Sequence, residues 1–290
     1  MSDHFPFVSV IVPFYDPLEL AKRLPSILGQ TYPIDRFEVL TIDNGPFGIS
    51  EEMKSSFPTV KFFSEKSPGS YAARNKGISE SKGEILAYTD SDCFPEASWI
   101  EKGVSAVLSK GKNIVIGGRV KFIMPKKHSA AGTFDSLHGL NQESMIENFG
   151  FALTANLFAP KEIFNKVGGF DQEYMSGGDK LWGKKALDAG FKIEYDPETI
   201  VWHPTARLEG ILRRRMRFAG AKFKETNLKP RKEFIRFLQV AWDNIKPPSV
   251  PLPQGIRIQL ETFIIKTLIV IISSIEFLRL WICATKPVRR

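Results

Sequence analysis

The sequence predicts an α/β fold: a mostly parallel sheet flanked by helices, with a helical extension at the C-terminal end. Three observations predict it. Short apolar runs alternate with segments of helix-like apolar spacing from the start to about residue 118. An apolar content of 43% over 290 residues is enough to bury a sizeable core. After His203 the composition turns basic, and after Pro253 it turns strongly apolar.

Phe7 to Val12, Phe37 to Ile42, Val60 to Phe63, Glu84 to Thr89 and Asn113 to Gly117 read as strands, each a short run rich in β-branched or aromatic residues. Leu18 to Gly29, Ser70 to Ser81 and Trp99 to Lys110 lie between them with helical periodicity. Strand and helix in alternation make βαβ units and hence parallel pairing. Lys121 to Lys127 reads as a strand leaving the sheet, and His128 to Gly150 as a loop containing a helix. Leu153 to Ala159 is the next expected strand, followed by helices at Lys161 to Val167 and Lys180 to Ala189, the second stopped by Gly190. Two short strands, Lys192 to Tyr195 and Thr199 to Trp202, complete the pattern. No internal repeat is evident. The expected organisation is a catalytic-type domain at 1–205, a basic helical extension with a stiff proline-rich link (Lys246 to Pro253) at 206–254, and an apolar helix at 255–290.

The formal net charge of +8 belongs to one segment, because residues 207 to 236 hold eleven Lys or Arg against three acids and the rest is balanced. A nucleic-acid-binding reading of the whole protein loses its support, and no nucleic-acid partner is expected. Cys93 and Cys283 match no metal or redox spacing, as a reducing compartment allows. Before the first strand there is no basic, apolar or small-residue pattern of a secretory signal, so the cytoplasm is the expected location. Ile256 to Ala284 reads in three ways: a helix in the membrane interface, a spanning or hairpin segment, or a helix in an oligomer contact. Phe263, Trp281, Lys286, Arg289 and Arg290 favour an anionic membrane surface, which places the chain at the cytoplasmic face of the membrane.

Asp90-Ser91-Asp92 directly follows the fourth strand. Two carboxylates there project into the crevice where open α/β sheets bind ligands, and hard divalent cations want such oxygens. The same tripeptide is also ordinary turn chemistry. Neither a Gly-x-Gly-x-x-Gly nor a Gly-x-x-x-x-Gly-Lys-Ser/Thr pattern follows the strands of this half, so dinucleotide and P-loop readings fail on residues. Other segments align with the Asp pair: Val8 to Tyr15; Thr41-Ile42-Asp43-Asn44; Ser-Tyr-Ala-Ala-Arg-Asn-Lys-Gly at 70–77; Gly168-Gly169-Phe170-Asp171; Gly177-Gly178-Asp179; and Val201-Trp202-His203. In this order they resemble the family 2 glycosyltransferases over about residues 6 to 205. That resemblance implies a GT-A fold, a nucleotide-diphosphate-sugar donor and transfer with inversion.

Carried over residue by residue, the resemblance implies that Asp43 reads the nucleotide base, with Pro13 and Tyr15 lining the same pocket. It implies that Arg74 and Asn75, on a helix starting near Pro68-Gly69-Ser70, face phosphate oxygens. Asp90 and Asp92 would hold Mg²⁺ or Mn²⁺, Asp90 shared with the ribose, and His203 would be a further metal ligand. Asp179 would be the base that takes the acceptor hydroxyl's proton. The residues also have plainer readings: a turn for Asp43, core for Pro13 and Tyr15, a surface pair for Arg74, an N-cap for Asp179 and packing for His203. Many family members carry Glu-Asp where this chain has Gly178-Asp179, so only the second carboxylate transfers. The expected donor is a UDP-sugar, with dTDP- and GDP-sugars as alternatives, and the acceptor is a hydroxyl on a glycan, a lipid-linked substrate or a small molecule. A sugar-phosphate nucleotidyltransferase is the enzymatic rival, but Tyr15-Asp16-Pro17-Leu18 lacks its Gly-rich basic loop. A non-catalytic basic scaffold is the other alternative. The whole reading fails if Asp179 is turned away from the cleft or if the 90/92 pair is buried against a basic partner.

Overall fold

The computed structural model of the chain describes residues 5–225 and 256–283. The proline-rich link, the basic residues from Lys229 to Arg236 and the tail from Ala284 lie outside the described residues. The contacts of the described chain group into two compact units, described in turn.

The first unit comprises Met1–Phe122, Leu140–Tyr174 and Gly178–Pro204. Its central strand, β1 (Val8–Phe14), is buried at every position, as a strand covered on both faces must be. It pairs in parallel with β2 (Phe37–Asp43) on one side and β4 (Ile85–Thr89) on the other, and β2 pairs in parallel with β3 (Val60–Ser64). The intervening helices are α1 (Pro17–Leu28), α2 (Glu51–Ser56) and α3 (Ser70–Glu80). Asp16 caps α1 by accepting from the Leu18 N–H, and Pro17 fills the first helical position. The strand order β3-β2-β1-β4 reverses the chain's march across the sheet between β1 and β4. The crevice outside the strand ends at such a reversal is where these sheets take ligands. Tyr15, Asn44 and Asp90 are the first residues past β1, β2 and β4, so the topology gathers them on one rim.

Beyond β4 the sheet is antiparallel where the pairing alternates direction. After β5 (Phe94–Pro95) and α4 (Trp99–Lys110) come β6 (Ile114–Ile123), α5 (Ala130–His138), α6 (Gln142–Phe149), β7 (Asn156–Pro160), α7 (Lys161–Val167), α8 (Gly178–Asp188) and β8 (Lys192–Pro204). β7 runs antiparallel to both β4 and β6, and β5 runs antiparallel to β8. Several expected boundaries change. β6 runs unbroken to Ile123, so Lys121 to Lys127 is not a separate strand. The 128–150 stretch holds two helices, capped by Ser129 and Asn141. The two short strands expected after residue 191 are one strand. Asp196 looks like a break, but its carboxylate accepts from the Thr199 N–H at 2.9 Å and bridges the bend.

One core lies on each face of the sheet. Val8, Val10, Val12 and Phe14 pack with Leu20, Leu24, Trp99 and Val104 on one face, and Ile11 packs with Leu40, Tyr71, Tyr88 and Trp182 on the other, as period-two alternation requires. Asn156, fully buried, accepts from the Trp99 indole N–H and donates to the Arg119 and Thr199 carbonyls, fastening β7 to its neighbours.

The second unit comprises Ile123–Gly139, Met175–Gly177 and Thr205–Arg290. Its elements are α5, α9 (Leu208–Glu225) and α10 (Ile256–Cys283). Ala131, Phe134, Ile211 and Ile265 form its apolar centre. Buried Asp135 accepts from the Ala206 N–H at 2.7 Å and from Arg214 at 3.0 Å. Buried Glu276 pairs with Arg279 at 2.7 Å, and Lys266 interrupts the apolar run of α10. Among the described residues no helix is long and apolar enough to cross a membrane, which sets aside the spanning reading of this segment.

Candidate active site

The site is built where β1, β2 and β4 end. Past β4, the Cys93 N–H donates to the Asp90 carbonyl at 3.0 Å, so Asp90 to Cys93 is indeed a turn, and it carries both carboxylates. Arg74, on α3 and only 4% exposed, donates to Asp90 Oδ1 at 2.5 Å. Burial pushes the Asp90 carboxyl above its ordinary value; Arg74 opposes this, while the charges of Asp92 and Asp179 add to it. Asp90 therefore does have a basic partner. Both carboxylates are part-buried beside it: the Asp90 and Asp92 side chains are 34% and 47% exposed.

Asp92 Oδ2 lies 3.3 Å from His203 Nε2, while Asp92 Oδ1 is shielded from solvent and has no hydrogen-bond partner among the described residues. Burial opposes the charged form of Asp92, but the hydrogen bond and charge of His203 outweigh it and hold the carboxyl below its ordinary value. His203 Nδ1 is 2.6 Å from the Pro204 carbonyl, which can only accept, so Nδ1 carries a hydrogen. Nε2 then faces a carboxylate either as an imidazolium donor or as a second lone pair around a shared cation. Consistent with the first state, Asp92 and then Asp90 raise the His203 pKa against the effect of burial.

Asp92, Cys93 and His203 bring three ligand atoms within 4.8 Å of one another. Two of the three expected metal ligands thus meet, while Asp90 is held by Arg74. Sequence reasoning missed Cys93. Its thiol is fully buried, and burial, with Asp92 and Asp90, keeps it protonated well above its ordinary pKa. A neutral sulfur suits Mg²⁺ or Mn²⁺ poorly; the unpartnered Asp92 oxygen suits them well.

On the β2 side, Asp43 Oδ1 accepts from the Gly45 N–H at 2.9 Å, which is the turn role the plainer reading gave it. Pro13 is buried inside β1, and Tyr15, partly exposed, meets the ring of exposed Phe47 edge-on at 6.4 Å. Asn44, unassigned by sequence reasoning, donates to the Glu65 and Ser67 carbonyls and accepts from the Gly69 N–H. It ties the end of β2 to the loop that launches α3. Asn75 Nδ2 donates one hydrogen to the Phe170 carbonyl and Oδ1 accepts from the Phe170 N–H, both at 2.8 Å. It clamps the 168–171 turn to α3. Arg74 Nε is buried without a partner among the described residues, as a guanidinium awaiting an anion would be.

Asp179 lies in the first turn of α8, which begins at Gly178, so it is not the N-cap. Its side chain is nearly buried and has two donors: Tyr71 donates its hydroxyl to Oδ1 at 2.8 Å, and the Thr154 N–H approaches Oδ2 at 3.5 Å. A Cβ on Gly178 would stand 2.6 Å from Cε2 of the Tyr71 ring. The ring thus occupies the space that an acidic side chain at 178 would need.

The family model described as Glycosyl transferase family 2 matches residues 9–169, which include β1 to β7 and the Asp90/Asp92 turn. The chain belongs to glycosyl transferase family 2. It is 37% identical to the glycosyltransferase AglE of Haloferax volcanii over 223 residues, 75% of this chain and 73% of that protein. It is 22% identical to the probable glycosyltransferase YdaM of Bacillus subtilis over 213 residues, 68% of this chain and 50% of that one. Among solved structures it resembles the mannosyltransferase PcManGT of Pyrobaculum calidifontis, in complex with GDP-Man and Mn²⁺, with a TM-score of 0.59, 16% identity and coverage of 99% of this chain and 77% of that one. The fold is GT-A, and this family 2 member is a glycosyltransferase.

Proposed function

We propose that this enzyme moves a sugar from a nucleotide-diphosphate sugar to an acceptor hydroxyl with inversion at the anomeric carbon. The observation that supports the reading is the turn after β4, where Arg74 meets Asp90 at 2.5 Å and His203, from the far end of the domain, meets Asp92 at 3.3 Å. Asp43 accepts from the base, with Pro13 and Tyr15 beside it; Arg74 takes a phosphate oxygen; Asp90 meets the ribose. Mg²⁺ or Mn²⁺ would be held by Asp92 and His203 with Asp90, and when bound it neutralises charge on the leaving diphosphate. Asp179 takes the proton of the attacking hydroxyl.

A UDP-sugar is the donor that a carboxylate reading a ring N–H suits. A GDP-sugar is the second reading, favoured by the GDP-Man of the solved neighbour. The acceptor is lipid-linked or a growing polysaccharide, met at the cytoplasmic face of the membrane. Exposed Leu260, Phe263, Ile264, Ile271 and Ile275 on α10 support contact with an anionic membrane surface. A screen of nucleotide sugars with Mn²⁺, reading free nucleotide, tests donor and metal together. One donor should turn over, and Asp92→Ala should abolish that turnover; undiminished release in Asp92→Ala would overturn the reading.

A further inference from the structure

Asp179 poses a problem that its own helix does not solve. The residue is 9% exposed, and a base that must meet one incoming hydroxyl needs a fixed rotamer. The Thr154 N–H, at 3.5 Å from Oδ2, holds it only loosely. The firm contact is with Tyr71, whose hydroxyl donates to Oδ1 at 2.8 Å.

We propose that Tyr71 is the positioning residue that aims Asp179 at the acceptor, its hydroxyl holding Oδ1 so that Oδ2 is the oxygen that receives the proton. This rests on the assignment of Asp179 as the base. As the acceptor oxygen bonds to the anomeric carbon, the bond from that carbon to the phosphate oxygen breaks. Its electron pair leaves with the nucleotide diphosphate, and the hydroxyl proton passes to Asp179 Oδ2.

Four features fix the phenol for this task. Tyr71 is 5% exposed. Its ring packs against Phe170 at 5.7 Å between centroids. The ring edge fills the space beside Gly178, where any Cβ would stand at 2.6 Å. Burial and the Asp179 charge keep its proton on well above the ordinary tyrosine range, so the hydroxyl remains a donor at working pH. Tyr71 also precedes Arg74 by three residues on α3, with the guanidinium 5.6 Å from its ring centre. One helical turn therefore carries both the phosphate-facing cation and the group that orients the base.

The test uses the full chain with a donor that turns over, comparing Tyr71→Phe and Asp179→Asn for kcat, donor KM and melting temperature. Asp179→Asn should lose about 100-fold or more in kcat, the size of a general-base contribution. Tyr71→Phe should lose about 10-fold in kcat while donor KM stays within about twofold, because misplacing a base costs the chemical step and not donor binding. If Asp179→Asn retains turnover, the base assignment falls and the positioning role with it. If Asp179→Asn is inactive but Tyr71→Phe keeps full kcat, the base stands and the role of Tyr71 is overturned; a matching rise in donor KM, the mark of general loosening, also overturns it. Should Tyr71→Phe fail to fold, Gly178→Ala displaces the ring without removing the hydroxyl. A kcat loss at unchanged donor KM then supports the proposal, and unchanged kcat defeats it.

Discussion

His203 spends Nδ1 on the carbonyl of the next residue, and that commitment is what turns Nε2 toward Asp92. If the pair shares a cation, His203→Ala should raise the Mn²⁺ concentration for half-maximal turnover by about 10-fold or more, while kcat at saturating Mn²⁺ falls less. A titration of nucleotide release against Mn²⁺ checks this. Glu38 is a purely structural counterpart. Almost buried, it accepts from the Ser9 hydroxyl, the Lys82 N–H and Lys61. Burial alone would raise its pKa, but these donors win and hold it below the ordinary glutamate value. A group whose folded pKa is depressed stabilises above its unfolded pKa and loses that contribution as pH falls through the folded value. Wild-type stability should therefore drop below about pH 4.5, the unfolded reference for Glu38. Glu38→Gln should be about 1 to 3 kcal/mol less stable at pH 7 and show a flatter acid limb in denaturant titrations.

At the scale of elements, α3 organises the site. Its entry is set by Asn44, its middle carries Tyr71, Arg74 and Asn75, and its exit lies against the sheet. Gly77 allows that last contact, since a Cβ there would stand 2.5 Å from the Ile11 side chain. Gly77→Val should lift α3 off β1 and β2 and cost about 1 to 3 kcal/mol, seen as a lower melting temperature. The loss of turnover should exceed what the unfolded fraction explains, because Tyr71 and Arg74 move with the helix. α3 has little amphipathic pattern, since Gly, Ser, Asn, Lys and Arg interrupt its apolar positions, and its contacts are set by close approach and polar clamps. An acid before Asp179, as the resemblance implies, would lack room at 178, because the Tyr71 ring occupies that space.

At the scale of the whole molecule, the membrane contact proposed for α10 can be tested directly. Ile264 and Ile271 are about half exposed, so charge there leaves the packing of the second unit intact. Ile264→Glu with Ile271→Glu should weaken co-sedimentation with anionic vesicles and leave turnover on a water-soluble acceptor unchanged; undiminished sedimentation would remove the membrane role from α10. Much of the architecture was legible in advance. The expected helices at Trp99–Lys110 and Lys161–Val167 have those bounds, and β1 to β4 and the Asp90/Asp92 turn lie within a few residues of expectation, because periodicity and strand-end placement are local properties of a chain. The antiparallel half of the sheet and the second helix in 128–150 were not, because pairing direction depends on distant partners. The sequence by itself therefore determined the α/β class, the rim of the crevice and the residue types standing on it. Tertiary structure decided the partners: Arg74 with Asp90, His203 with Asp92, Phe170 with Asn75 and Tyr71 with Asp179. Those pairings span up to 111 residues, from Asp92 to His203, and burial and hydrogen-bond geometry across such separations leave no periodic trace in the chain.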